Sequence, residues 1–154
     1  MIKNNNCCLK VCLLFVAGLL MTACRTAQTE SGYVPELQNF RVDVNFMHPR
    51  RWSSRSVWDY WVVVRGDSVE CHLPYVGVKY QADFYDEGLN FCVPITSFQR
   101  GRGRKGQAEI ALTFRRNMTG YRLIVTLFPG SRANLYLTPT NGDAISYEGD
   151  WQAL

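Results

Sequence analysis

Histidine is almost absent from this chain: His48 and His72 are the only two. Neither has a second ligand at metal-site spacing and no His-Glu-x-x-His stretch occurs, so the sequence offers no zinc site. A Gly-x-Ser-x-Gly elbow is missing too, which removes one common hydrolase signature. No apolar run reaches the roughly 20 residues that a helix needs to cross a bilayer. Sustained helical periodicity, internal repeats and extended charge blocks are also lacking, which excludes bundles, solenoids and coiled coils. Charge is sparse, at 19% of residues.

The N-terminus explains most of the six cysteines. Residues 1–10 are polar and carry Lys3 and Lys10 without an acid, and residues 11–23 run without a charge. Thirteen residues are too few to span, so this is a signal h-region. It ends Leu20-Met21-Thr22-Ala23-Cys24, an apolar residue and two small ones before a cysteine. That pattern resembles a lipobox, which puts diacylglycerol on the Cys24 thiol. The expected organisation is a signal peptide at 1–23, acylated Cys24 with a tether to residue 38, and one domain over 39–154. Removal of the signal takes away Lys3 and Lys10, and the formal charge falls from +4 to +2. Such a nearly neutral domain gives no general reason to bind nucleic acid. Arg25 follows Cys24, so no aspartate signals inner-membrane retention, and few acids mark surface export. The expected location is the outer membrane, facing the periplasm.

From Phe40 onward the period is two. Phe40, Val42, Val44 and Phe46 alternate with Arg41, Asp43, Asn45 and Met47. A strand over 58–65 turns at Gly66-Asp67 into one over 68–73. Pro74 stops that strand, and a short strand is expected over 76–84. Pro94 lies within a strand over 89–99 and predicts an edge or bulge there. Residues 100–106 read as a glycine-arginine turn, followed by strands over 107–116, 121–128, 132–138 and 144–151. Eight or nine strands with turns about every ten residues make an all-β antiparallel meander, closed as a barrel or folded as a sandwich. Cys71 shares its face with inward Val69 and Leu73, whereas Cys92 lies opposite Phe91 and Val93. The two thiols are therefore expected on different sides and unbridged.

Three stretches carry a resemblance: Leu73-Pro74-Tyr75-Val76-Gly77 after the Gly66-Asp67-Ser68-Val69 hairpin, Gly88-Leu89-Asn90-Phe91, and Ile145-Ser146-Tyr147-Glu148-Gly149. In order and spacing the chain resembles a Bacteroidota lipoprotein family known as domain of unknown function 4251. Val76 stands where that family usually has an aromatic residue. The resemblance implies a small barrel-like fold in an envelope lipoprotein and implies no activity. Its motifs read as structural: Pro74 and Gly77 shape a strand exit, Gly149 permits a close backbone approach, and Tyr75 and Tyr147 pack with hydroxyls at a rim.

Candidate functional groups are few. Cys71 and His72 are adjacent but point to opposite faces of a strand, so they form no dyad. Asp83, Asp86 and Glu87 match no calcium loop and read as a solvated turn. Arg65-Gly66-Asp67 spells an integrin tripeptide, yet Gly-Asp is also what a tight turn needs. Arg100, Arg102, Arg104 and Lys105 put four cations within six residues, a candidate contact for phosphates of lipid headgroups or an acidic polysaccharide; a solvated hairpin tip is the plainer alternative. No aromatics interleave with these charges, which argues against nucleic acid. Trp52, Trp58, Tyr60 and Trp61 are core residues if their strand is covered on both faces and a ligand platform if one face is open. No catalytic constellation and no cofactor are expected. The expectation is a non-enzymatic binding or accessory lipoprotein with an envelope protein, glycan or lipid partner. The alternatives are a lipocalin-like carrier of an apolar ligand and, last, an unrecognised hydrolase. An interior cavity lined by Tyr60, Phe91 and Phe114 would favour the carrier.

Overall fold

The computed structural model describes residues 39–78 and 89–154, all within the unit Gly32–Leu154. Cys24, the stretches expected to be signal peptide and tether, and the acidic residues Asp83, Asp86 and Glu87 lie outside the described residues. Eight strands follow one another: Phe40–Pro49 (β1), Arg55–Arg65 (β2), Ser68–Leu73 (β3), Leu89–Arg102 (β4), Ala108–Arg116 (β5), Thr119–Leu127 (β6), Arg132–Pro139 (β7) and Ile145–Ala153 (β8). Each pairs antiparallel with the next, and β8 pairs with β1, so the meander closes as a barrel. Closure leaves the sheet no free lateral strand, which is the physical reason to prefer it to an open sandwich. The short strand expected from residue 76 does not form through Val78, and its remainder lies outside the described residues.

Eight strands enclose an interior just wide enough for side chains. Alternation delivers Val42, Val62, Val69, Ile110, Leu112, Leu123, Val125, Leu135 and Tyr147 to that interior, all buried. Each large apolar side chain so buried contributes about 1.5–3 kcal/mol. Phe91, Phe114 and Tyr121 pack ring against ring, with centroids 5.5–5.8 Å apart. These rings occupy part of the interior that the carrier alternative would need as open space.

Two bulges correct the sequence reading. The β1–β8 register runs Val44↔Gly149 and then Phe46↔Glu148, so Asn45 is an extra residue. The bulge turns Phe46 outward to half exposure and Met47 inward to full burial, the reverse of simple alternation. Across the other side, Val44 pairs Tyr60 while Phe46 pairs Ser56, and Asp59 takes φ 64°. Trp58 is thereby thrown into solvent, away from the face it was expected to share with Tyr60 and Val62. Gly149 sits at the first bulge, where a Cβ would run into the Asp43 carbonyl. The close approach expected there is the Asp43–Val44 backbone of β1.

β4 changes partner partway along. It pairs β3 through Leu89–Pro94 and β5 through Ile95–Arg102, with a bulge between Ile95 and Ser97. Pro94 lies at the switch, where the missing N–H is tolerated. Inward Phe91 and Val93 lack β5 partners and stay half-exposed, and the Arg116 guanidinium lies 5.1 Å above the Phe91 ring. Arg100 and Arg102 fall on this strand, not in the turn expected over 100–106; only Arg104 and Lys105 occupy the short 3-10 turn Arg104–Gly106.

Strand direction assigns the connections to two ends. The near end holds Asn39, the Gly66-Asp67 turn, residues 103–107 and 128–131, and Leu154. The far end holds residues 50–54, 74–78, 117–118 and 140–144. Gly66 has φ 56° and Asp67 has a negative φ, the pattern of a type II′ turn. This accounts for Arg65-Gly66-Asp67 structurally: Asn39 Oδ1 accepts from Gly66 N at 2.8 Å, and Asp67 O accepts from Ile95 N at 2.7 Å.

Candidate functional site

The structure separates the aromatic group from the basic one and divides the aromatics among themselves. Trp52 is 47% exposed in the far-end loop, and Trp58 is 74% exposed near the start of β2. Tyr60 packs on the core and stacks on His72 at 5.4 Å. Trp61 faces outward with His72 at 4.4 Å on one side and the Arg41 guanidinium 5.0 Å from its ring. The four aromatics thus split three ways and build no single platform. His72 is an aromatic neighbour on the outer wall, and Cys71 is buried inside, so the rejected dyad fails on geometry. Burial pushes the Cys71 thiol far above its ordinary range, with Cys92 and Glu70 adding to the rise. Both thiols are free, Cys71 inside and Cys92 outside, as alternation predicts.

Arg100, Arg102, Arg104 and Lys105 lie together at the near-end tip of the β4–β5 hairpin. Arg104 and Lys105 are exposed, and Lys105 has φ 64°. Arg100 and Arg102 also make interactions within the chain. The chain enters the barrel at Asn39 on this same end.

Sequence reasoning missed two constellations. His48 has partners after all: Nε2 lies 2.9 Å from Glu148 Oε1 and Nδ1 lies 2.9 Å from Ser54 Oγ. Glu148 is 100 residues away in sequence, so no local spacing could reveal the pair. The imidazole thus bridges a carboxylate and a hydroxyl, one on each ring nitrogen. All three groups meet solvent, which lowers the strength of each interaction. The second constellation closes the far end. Asp143 is buried, and its carboxylate accepts from Val78 N at 3.2 Å and Arg51 Nε at 3.1 Å. Its backbone N donates to Val78 O at 3.1 Å, and its carbonyl accepts from Tyr75 OH at 2.8 Å. Tyr147 OH donates to Pro74 O at 2.7 Å. The Tyr75 phenol lies against both Gly77 and Gly142, where a Cβ would meet its oxygen at 2.6 Å. That contact accounts for the glycine in Pro74-Tyr75-Val76-Gly77, and both tyrosine hydroxyls donate to carbonyls of far-end loops, Tyr147 from a fully buried position.

A furrow lies on the outer wall. Two depressions of about 260 and 210 Å³ adjoin there and share Asn134 and Glu148. The first is lined by Asn45, Arg132 and Asp150 among others, the second by His48, Tyr136 and Ser146. Among the described residues, no group of three His, Cys, Asp or Glu side chains could hold a metal.

Fold and surfaces together define a small closed β-barrel with a packed interior, whose polar and charged constellations lie on its ends and outer wall. The profile of the family called Domain of unknown function (DUF4251) matches residues 30–151, and the chain belongs to that family. A crystal structure of a DUF4251 family protein from Bacteroides eggerthii is similar in fold, with a TM-score of 0.55 at 14% identity, over 75% of this chain and 80% of that one. No curated protein matches.

Proposed function

We propose that the chain is an envelope lipoprotein, acylated at Cys24, whose barrel serves as a non-enzymatic binding module at the outer membrane with its near end toward the lipid. The observation that carries this reading is the strand order: it puts Asn39, where the chain from Cys24 arrives, at the same end as Arg104 and Lys105. Residues 24–38 span at most roughly 50 Å fully extended, so an anchored Cys24 keeps the near end within reach of headgroups. Each cation close to an anionic surface adds about 1 kcal/mol, lost in high salt. Arg104 and Lys105, both exposed, carry most of this contact. The packed interior supports a surface-binding module over a carrier.

Palmitate labelling tests the anchor. Wild type takes label and Cys24→Ala takes none; equal label on both ends the lipoprotein reading. Orientation is tested on the acylated protein reconstituted in anionic and in zwitterionic vesicles. Proteolysis at the 103–107 turn is expected to be slower on anionic vesicles at low salt and equal on both at high salt. Equal rates at low salt overturn the near-end contact.

A further inference from the structure

The outer-wall furrow has its own chemistry, independent of the anchor. Three rows of outward residues cross it, fixed by register. Ile124, Tyr136, Ser146 and His48 form one row. Thr126, Asn134, Glu148 and Phe46 form the next, and Arg132, Asp150 and Asp43 the third. The β1 bulge adds Asn45 to the same wall, so two successive β1 side chains face outward where regular alternation permits one.

From this we propose that the furrow is a glycan-binding site, taking a short run of neutral pyranose rings across β1, β8 and β7. The polar groups suit vicinal hydroxyls, because side-chain amides and carboxylates present paired donors and acceptors. Asn134 and Asn45 supply amides, Glu148 and Asp150 supply carboxylates, and Arg132 supplies a planar donor fork. Three of these groups, Asn45, Asp150 and Glu148, are held in place before any ligand arrives. Asn45 Nδ2 donates to Asp150 Oδ2 at 3.2 Å, and His48 lies 2.9 Å from Glu148. Preorganised groups on strands cost little ordering entropy on binding. Tyr136, 47% exposed beside the second depression, offers an open ring on which the apolar face of a sugar can stack. Charge selects the class: the carboxylates of Asp43, Glu148 and Asp150 outnumber the Arg132 and His48 side chains, so the furrow as a whole does not favour a phosphate or a sulfated chain. Sharing Asn134 and Glu148, the two depressions of about 260 and 210 Å³ together leave room for more than one ring.

The test uses the full-length chain in a detergent without a sugar headgroup. Saturation-transfer NMR is run with chitotetraose, maltotetraose and laminaritetraose as probes at millimolar concentration. At least one probe is expected to receive saturation on its ring protons. Tyr136→Ala should abolish the signal, and Asn134→Ala should weaken binding about fivefold or more. Phe98→Ala, on the exposed surface of the opposite wall, should leave it unchanged. Matching thermal melts show that the variants fold; should Tyr136→Ala fail that control, Asn134→Ala decides alone. Silence with all three probes overturns the proposal, as does a signal that survives the furrow substitutions or is lost with Phe98→Ala. Failure of palmitate labelling leaves this site untouched, and failure of glycan binding leaves the anchor untouched.

Discussion

The two ends of the barrel are closed by different means. At the near end the chain turns mainly on backbone geometry: Gly66 at φ 56°, Gly130 at φ 84°, and main-chain bonds such as Gly103 N to Gln107 O at 2.9 Å. Asn39 Oδ1 on Gly66 N and Trp151 Nε1 on Phe128 O add longer-range side-chain bonds there. At the far end long-range side chains do the joining. Asp143 ties residues 51 and 78 to its own loop, and Tyr147 and Tyr75 each reach about 70 residues to a carbonyl. A turn built from backbone leaves its side chains free to vary and carry charge. A lid built from buried polar groups has no such freedom, because each lost partner leaves a desolvated group unpaired. The near end is thus the natural place for a charged surface, and the far end is where stability is vulnerable.

The wall shared by both ends sets the scale for this comparison. Gly149→Ala forces a Cβ into the Asp43 carbonyl, a backbone clash that no rotamer relieves. It should cost about 4 kcal/mol or more, as severe backbone strain does, and lower the urea midpoint for both ends together. Asp143→Ala comes next. It strips Val78 N–H and Arg51 of a common acceptor inside a buried site, for a loss of about 3 kcal/mol. Hydrogen exchange should then quicken in residues 74–78 and 140–144 while the Gly66-Asp67 turn keeps its protection. Equal quickening at both ends would erase the distinction.

What the sequence made legible follows the same division. Near-end turns advertise themselves, since glycine-aspartate and proline-glycine pairs are local signals. The inward faces of β5, β6 and β7 were legible from strict alternation, as Ala108, Ile110, Leu112 and Phe114 show. The bulges were not. Phe46-Met47 is a pair of adjacent apolar residues, and that break in alternation is the only local sign of the extra residue at Asn45. In β2 nearly every residue from Val57 to Val64 is apolar, so period two could not assign faces there. The candidate sites fared worse for a plain reason. His48 with Glu148, and Asp143 with Arg51 and Val78, are brought together by closure of the barrel, which no spacing along the chain encodes.

Alkaline pH probes the interior and the far end together. Burial raises the thiol of Cys71 above its ordinary 9.0 and the phenol of Tyr147 well above 10.0. The folded state holds both protons more tightly than the unfolded chain does. Their contribution is therefore complete below about pH 9 and declines as the pH climbs toward the raised folded values. Urea midpoints should fall across that window. Cys71→Val should remove the earlier part of the fall. Tyr147→Phe should remove the later part and cost about 1 kcal/mol at neutral pH, through the bond to Pro74 O. A midpoint flat to pH 11 would contradict the burial of both groups.

The smallest stability effect belongs to the near end, and there the comparison meets function. Arg104→Gln with Lys105→Gln alters two exposed side chains on a turn whose shape is set by the bond between Gly103 and Gln107. Stability should stay within about 0.5 kcal/mol of wild type. Binding of the acylated protein's near end to anionic vesicles should weaken nonetheless, with a shallower dependence on salt, since two fewer cations face the surface. A variant that loses stability and keeps its salt dependence would mean that Arg104 and Lys105 serve the hairpin and not the membrane. The near end would then resemble the far end, with charge employed as structure, and the proposed orientation would lose its support.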